Sequence, residues 1–521
     1  MKGCVFMKSI KVCLSLLLSA ILLISCVIPS FAQSGETDLI VQTEYGTVKG
    51  KYCSGGKCYF GIPYAKATTG NLRFTPPVTP DKWDGIFEAT VQPKKPLQAS
   101  YNESKQSEDS LRLNIWVPDT ASTEPLSVMF WIFGGSYASG GINASYYDMA
   151  TMAKDTGCII VSANYRLNVC GFLDLRDVIP GATVNNGLRD IVFALKWVND
   201  NITAFGGDPA NVTVFGQSAG AALATALLAV PSAKPYFNKV ISQSSCGDSF
   251  YNPAQAKDVA SMWLKAMHNP SAQDLVNMSA CQLVSKNSSL DTKVALKYGI
   301  NCTFNPVIDG EFLVCHPSEA ASENTDKKIL IGCTENEASL FFFFITPPLS
   351  FIPVVQNLIT PNYDKEFKAT VTKGIGYPST KSLIQLGTER MYRYPLTVLA
   401  DNYSETTDVY TYRYDYQPKL VKLINLGSFH ITDIPILFDA KLDFGLFERK
   451  IFKDKEDLQV GLRMRQYWGN FAKYGCPDAS WTLYDKSNRT TLIIDETDRL
   501  INNPYGERIA LYENYVSPWK K

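Results

Sequence analysis

Apolar and polar positions along this chain fall into two alternating signatures. Residues 39–65 alternate apolar and polar with glycine breaks, the pattern of antiparallel hairpins. Farther on, 113–117, 128–133 and 158–163 are short apolar runs, each ended by glycine, proline or asparagine, as strands buried on both faces are. Residues 212–215 and 328–333 add two more strand candidates, and helix-like stretches at 185–201, 221–229 and 456–474 alternate with the strands. This order predicts an α/β fold: a mostly parallel central sheet with helices on both faces, preceded by an N-terminal antiparallel hairpin region. No internal repeat, low-complexity tract or proline/glycine/serine-rich linker interrupts it. One domain over 33–521 is the economical reading, with long insertions around 98–109, 247–300 and 341–425.

Segment 1–32 stands apart. Lys2, Lys8 and Lys11 precede an apolar run from Val12 to Ile28 and then Pro29-Ser30-Phe31-Ala32, the pattern of a secretory signal peptide cut after Ala32. A membrane anchor would be short here and is followed by a small-residue cleavage site. Leu23-Ile24-Ser25-Cys26 also resembles a bacterial lipobox, so a lipid on Cys26 is the minority alternative for a bacterial chain. The rest of the chain has no further run of spanning length and no lipid-anchor or retention signal at Ser517–Lys521, which predicts a secreted protein without a membrane span.

The composition is that of a globular protein with a sizeable core, 45% hydrophobic and 19% charged. The chain carries 50 basic and 50 acidic residues, so no nucleic-acid partner is expected. Of 13 cysteines, those beyond residue 32 form no C-x-x-C pair, and with 3 histidines the chain offers no zinc pattern. Cys53 and Cys58 bracket Ser-Gly-Gly-Lys between two strand-like runs, which suggests a disulfide clasping a hairpin, whereas Cys158, Cys170 and Cys333 lie in apolar runs as buried thiols do. Asn-x-Ser/Thr sequons stand at Asn102, Asn143, Asn201, Asn211, Asn277, Asn287, Asn301, Asn402 and Asn488, candidates for glycosylation in an exported chain.

The most informative stretch is Phe215-Gly-Gln-Ser-Ala-Gly220. A β-branched run meets Gly-x-Ser-x-Gly and then an alanine- and leucine-rich segment: strand, sharp turn, helix, with Ser218 at the apex. Such a turn holds an exposed hydroxyl above a helix N-terminus, where an oxyanion can be stabilised. A serine hydroxyl needs a base, and the base needs a carboxylate. In hydrolases built on this turn the order is serine, acid, histidine. His268 and His316 leave little chain after Ser218 for a strand bearing the acid, so elimination leaves His430. The acid is expected after the 328–333 strand, where position alone does not separate Glu335 from Glu337. The strand running into Gly134-Gly135-Ser136 has the form of a second oxyanion loop, so the N–H groups of Gly135, Ser136 and Ala219 are the candidate donors.

These residues resemble the type-B carboxylesterases, a family that includes the cholinesterases. The likeness runs from about Val41 to Tyr512 through Phe60-Gly-Ile-Pro-Tyr-Ala65, Ser107-Glu-Asp-Ser-Leu-Arg-Leu-Asn114, Asn186-Gly-Leu-Arg-Asp190, Ile241-Ser-Gln-Ser244 and Trp468-Gly-Asn-Phe-Ala472. The resemblance implies an α/β-hydrolase fold and ester hydrolysis through an acyl-enzyme by Ser218, His430 and Glu337, without metal or cofactor. It also implies that Ser244 and Asp433 support that triad, and that Arg166 with Asp190 and Arg73 with Glu108 form structural ion pairs.

Three departures bear on chemistry. Ser110 stands where the family has a cysteine, with no partner upstream, so the loop 97–109 is expected to be unclasped. Gln217 replaces the commoner glutamate beside the nucleophile, which weakens any preference for cationic esters. Ser136 replaces the third glycine of the oxyanion run. The expected partner is a small-molecule or lipid ester, and the sequence leaves a homo-oligomer open. Two other functions compete: an adhesion or structural relative that retains the site, and a lipase whose greasy mouth draws on the loop 97–109 and Leu340-Phe-Phe-Phe-Phe-Ile-Thr-Pro-Pro-Leu349.

Overall fold

Eleven strands make one sheet, and the parallel run within it carries the chemistry. The computed structural model describes residues 38–299, 302–340, 359–360, 363, 365–440, 454–517 and 520. Residues 42–521 form one compact unit; of the chain before it 38–41 are described, with Ile40 and Val41 in the strand Ile40–Gln42. The expected leader, its Ala32 cut and Cys26 lie outside the described residues, as do 341–349 of the greasy run.

In chain order the strands are β1 (Lys51–Cys53), β2 (Gly56–Pro63), β3 (Arg112–Pro118), β4 (Leu126–Ile132), β5 (Ile159–Ala163), β6 (Gly207–Gln217), β7 (Lys239–Gln243), β8 (Lys328–Thr334), β9 (Val409–Tyr414), β10 (Thr491–Ile494) and β11 (Arg499–Ile501). Across the sheet they lie β11-β10-β9-β8-β7-β6-β4-β5-β3-β2-β1. From β5 to β10 every neighbour is parallel, and both edges are antiparallel. The central strands are buried over most of their length and mainly apolar, as a sheet covered on both faces demands.

Two elements differ from the sequence reading. Within 39–65 the hairpin β1–β2 forms, but Thr47–Lys49 pairs in parallel with the distant Ile86–Glu88. β9 is a core strand inside the stretch read as an insertion. Its sequence Val-Tyr-Thr-Tyr-Arg-Tyr reads as amphipathic, yet Tyr410, Tyr412 and Tyr414 are all buried.

The helices that position the site are α1 (Asn186–Asn201), α2 (Ala219–Ala226), α3 (Thr380–Thr388), α4 (Tyr394–Tyr403), α5 (Asp433–Leu437) and α6 (Lys455–Tyr474). All eight residues of α2 are buried, which its alanine, glycine, leucine and threonine content allows. Asp454 caps α6 by accepting the Asp457 N–H, and Gly475 ends it at φ 73°. Beneath the site Trp131 of β4 packs its ring 4.8 Å from Phe215 of β6 and 5.0 Å from Phe438, the residue that ends α5. Arg166 forks Asp190 of α1 at 2.8 and 2.6 Å with both side chains buried, and Arg73 forks Glu108 at 2.7 and 3.0 Å. The loop 97–109, which lacks a disulfide, is held by polar contacts instead. Lys95 donates its N–H to Lys105 O at 2.9 Å and accepts the Ser107 N–H at 2.9 Å, and Gln98 Nε2 donates to Gly140 O at 2.9 Å.

Candidate active site

Ser218 sits between β6 and α2 with φ 60° and ψ −127°, a conformation that costs an L-residue about 1–3 kcal/mol. The surroundings enforce it. A Cβ on Gly220 would lie 2.1 Å from Ile132 O, and one on Gly216 would lie 2.6 Å from the Gly220 carbonyl, so only glycine fits beside the turn. Ser218 N–H donates to Gln243 O at 2.9 Å, tying the apex to the end of β7.

The next parallel strand, β8, delivers the candidate acid. Glu337 is fully buried: Oε1 accepts the Thr334 N–H at 2.7 Å, and Oε2 lies 2.5 Å from His430 Nδ1. Glu335, which spacing could not separate from it, lines a different cavity with Asn336. With Nδ1–H turned to the carboxylate, the imidazole presents the lone pair of Nε2 on its other side.

That lone pair faces an amide. Gln217 Nε2 stands 3.2 Å from His430 Nε2, and among the described residues the Ser218 hydroxyl makes no hydrogen bond. Ser218, Gln217 and His430 nevertheless share one cavity of about 220 Å³ with Gly134, Gly135, Ser136, Tyr146, Tyr392, Cys246 and Leu340. Gly135 (φ 125°) and Ser136 (φ 55°) turn the loop after β4 under this cavity. Among the described residues neither of their N–H groups is donated to another backbone group, and the Ala219 N–H opens α2, where no intrahelical acceptor exists. The Ser136 hydroxyl is engaged with the Cys302 thiol, whose own ionisation burial pushes up.

Of the expected supports, Asp433 starts α5 fully buried. Burial, with lesser effects from nearby charges, pushes its carboxyl from 3.8 up to about 6; the Glu337 charge adds to the rise, while the Gln243 hydrogen bond and His430 oppose it. Its Oδ2 accepts Gln243 Nε2 at 2.8 Å, and its Oδ1 has no partner among the described residues. Ser244 has φ 55° and donates its N–H to Gly332 O at 2.8 Å, while its hydroxyl is buried without a partner among the described residues.

Sequence reasoning assigned no role to Gln243, which joins the Ser218 backbone, Asp433 and Trp468 Nε1 (3.1 Å) in one network. It also missed Tyr392, whose ring lies 5.1 Å from that of His430. Gln243 stood inside the quoted Ile241–Ser244 match, so the signal was there without a partner to explain it. Tyr392 sits in an irregular helical segment with no spacing to mark it.

The remaining candidates lie elsewhere. His268 caps a helix end at φ 63°, and His316 hydrogen-bonds Ser318 and the Gly247 carbonyl. Cys53 and Cys58 lie diagonally across the predicted hairpin, Cys53 pairing with Gly56 and Cys58 with Lys51, and no disulfide joins them in this structure. Among the sequons Asn102, Asn277 and Asn488 are exposed, Asn201 and Asn287 are buried, and Asn301 lies outside the described residues. Asn211 donates its amide to Ser127 Oγ at 2.9 Å. No described helix is long and apolar enough to cross a membrane.

Comparison with known proteins gives this arrangement its context. The sequence model of the Carboxylesterase family matches residues 37–512. The para-nitrobenzyl esterase of Bacillus subtilis (strain 168) is 34% identical over 91% of this chain and 98% of its own length. A human cocaine esterase is 29% identical over 84% of this chain and 83% of its own. Among solved structures a thermophilic pNB esterase superposes with a TM-score of 0.80 at 32% identity, covering 91% of this chain and 99% of that one. With a match that spans nearly the whole sequence and a shared α/β-hydrolase fold, the chain belongs to the carboxylesterase family and is a carboxylic ester hydrolase.

Proposed function

We propose that Ser218, His430 and Glu337 carry the hydrolysis through an acyl-enzyme, and that the chain is exported by a leader ending at Ala32, leaving 33–521 as one domain. The observation that carries the triad is the 2.5 Å contact between His430 Nδ1 and Glu337 Oε2, made at the cavity onto which Ser218 opens. Ser218 Oγ attacks the ester carbonyl carbon and its proton passes to His430 Nε2. Glu337 fixes the tautomer and stabilises the imidazolium. The carbonyl oxygen, now anionic, takes the N–H groups of Gly135, Ser136 and Ala219. Collapse expels the alcohol with the proton from His430, and water repeats the sequence to release the acid. For the first transfer Nε2 must exchange the Gln217 amide for the Ser218 hydroxyl, a side-chain rotation. The reaction needs neither metal nor cofactor.

A fluorophosphonate probe should label Ser218, read by peptide mapping, and Ser218→Ala should abolish both labelling and turnover of a p-nitrophenyl ester. Turnover that survives the substitution places the nucleophile elsewhere. N-terminal sequencing of protein from the medium should begin at Gln33.

A further inference from the structure

A second cavity, of about 830 Å³, backs onto the first without sharing a residue. Consecutive residues face the two: Ser339 and Arg393 border the larger, Leu340 and Tyr392 the smaller. Its lining includes Glu389 and Arg393, the two ends of the π-helical turn Glu389–Arg393 between α3 and α4, an irregularity frequent at functional sites.

The charge of this cavity is unbalanced. Lys381, Arg393, Arg413 and Arg508 border it against two carboxylates, Glu335 and Glu389. Arg508 forks Glu389 at 3.0 and 2.6 Å, and Arg413 forks Asp415 at 2.6 and 2.7 Å. Arg393 has no such partner among the described residues. Its guanidinium lies 5.0 Å over the Tyr505 ring and donates to the Glu335 carbonyl, and its Nε–H is buried without an acceptor. The nearby Glu335 carboxylate accepts from Asn336 Nδ2 at 3.0 Å instead. A guanidinium with unfilled donors is a fork for an oxyanion, and Ile384, Leu426 and Ile509 give the same cavity an apolar side.

We propose that this cavity binds an organic carboxylate with an apolar body, its head on Arg393 and its body against Ile384, Leu426 and Ile509. Occupancy bears on both loops of the neighbouring site. Asn336, which borders the cavity, donates its N–H to Ser428 O at 2.8 Å and packs so closely on Gly427 that a Cβ there would meet its amide at 2.3 Å. Asn336 precedes Glu337, and Ser428 lies two residues before His430, so the bound carboxylate alters turnover without competing for the Ser218 cavity. This last step rests on the proposed triad; the binding itself does not.

The test uses the full chain, first capped at Ser218 with a fluorophosphonate so that the smaller cavity is filled. Calorimetry then measures 4-phenylbutyrate, with 4-phenylbutanol and inorganic phosphate as controls. The capped protein should bind 4-phenylbutyrate and neither control. Arg393→Gln should weaken that binding by about ten- to hundredfold, the loss expected for charge-assisted hydrogen bonds, with Arg393→Lys in between. Ile384→Asp, which sets a carboxylate among the apolar contacts, should do the same if Arg393→Gln does not fold. No binding to the capped chain, equal binding of either control, or unchanged binding by both variants overturns the proposal. Failure of the cap to attach at Ser218 counts against the triad alone, because the variants still decide the binding on the uncapped chain.

Discussion

Gln217 Nε2 and His430 Nε2 meet at 3.2 Å, so the amide beside Ser218 occupies the lone pair on which the proposed nucleophile depends. The carboxylate on the other side of the ring fixes which nitrogen is the acceptor. A glutamate at 217 could not donate to that lone pair as the amide does, and it would bring a negative charge into a cavity that opens on Ser218. Glutamine is therefore both a competitor for the base and a neutral wall.

Removing the competitor should release the base. A net amide hydrogen bond is worth about 1 kcal/mol, so Gln217→Ala should raise kcat/KM for p-nitrophenyl acetate by about fivefold. A fall of tenfold or more would show instead that the amide holds the imidazole in its productive orientation.

Restoring the charge should change selectivity. A carboxylate about 5 Å from a bound ammonium in a partly solvated cavity contributes about 1 kcal/mol or more, so Gln217→Glu should raise the ratio of kcat/KM for a choline ester over its neutral isostere by at least about fivefold. The wild-type ratio should be close to one.

The two glutamates after β8 should part completely. Glu337→Gln keeps an oxygen for the Thr334 N–H but loses the charge facing His430, so kcat should fall by about 10³–10⁴ with the melting temperature little changed. Glu335→Gln lies in the other cavity and should leave kcat within about threefold. The reverse order would exchange their roles.

How far the sequence reached follows from how local each signal is. The Ser218 turn was legible because its constraints lie within five residues: a strand, two glycines that must lack Cβ atoms, and a helix of small residues. Chain order singled out His430. Nothing local separated Glu335 from Glu337, since the full burial of Glu337 and its contact with His430 depend on the 427–430 loop arriving from far along the chain, while Glu335 stays half-buried. β9 was hidden because tyrosine reads as half polar, whereas here the sheet buries the tyrosine bodies. The contact of Gln217 with His430 spans 213 residues, and only coordinates could reveal it.

The size of the Ser218 cavity sets a chain-length preference. About 220 Å³ bounded by Tyr392, Tyr146 and Leu340 accommodates a short acyl group. In a p-nitrophenyl series kcat/KM should be highest between acetate and butyrate and at least about tenfold lower at decanoate. An optimum at oleate would favour the lipase reading.

Asp433 ties stability to pH. Its carboxyl is pushed from 3.8 up to about 6, mainly by burial, and it faces Glu337, His430, Tyr412 and Tyr414. Between those two values the folded chain holds a proton that the unfolded chain releases, so stability from this group falls as pH rises through the window and the cost is complete above it. A shift of that size corresponds to about 3 kcal/mol at most. Asp433→Asn keeps an oxygen for Gln243 Nε2 and removes the ionisation. In urea denaturation the variant should therefore gain at least about 1 kcal/mol over wild type at pH 7.5 relative to its standing at pH 4, where both side chains are neutral in the folded protein. An equal difference at the two pH values would mean that Asp433 ionises in the folded protein as it does in water.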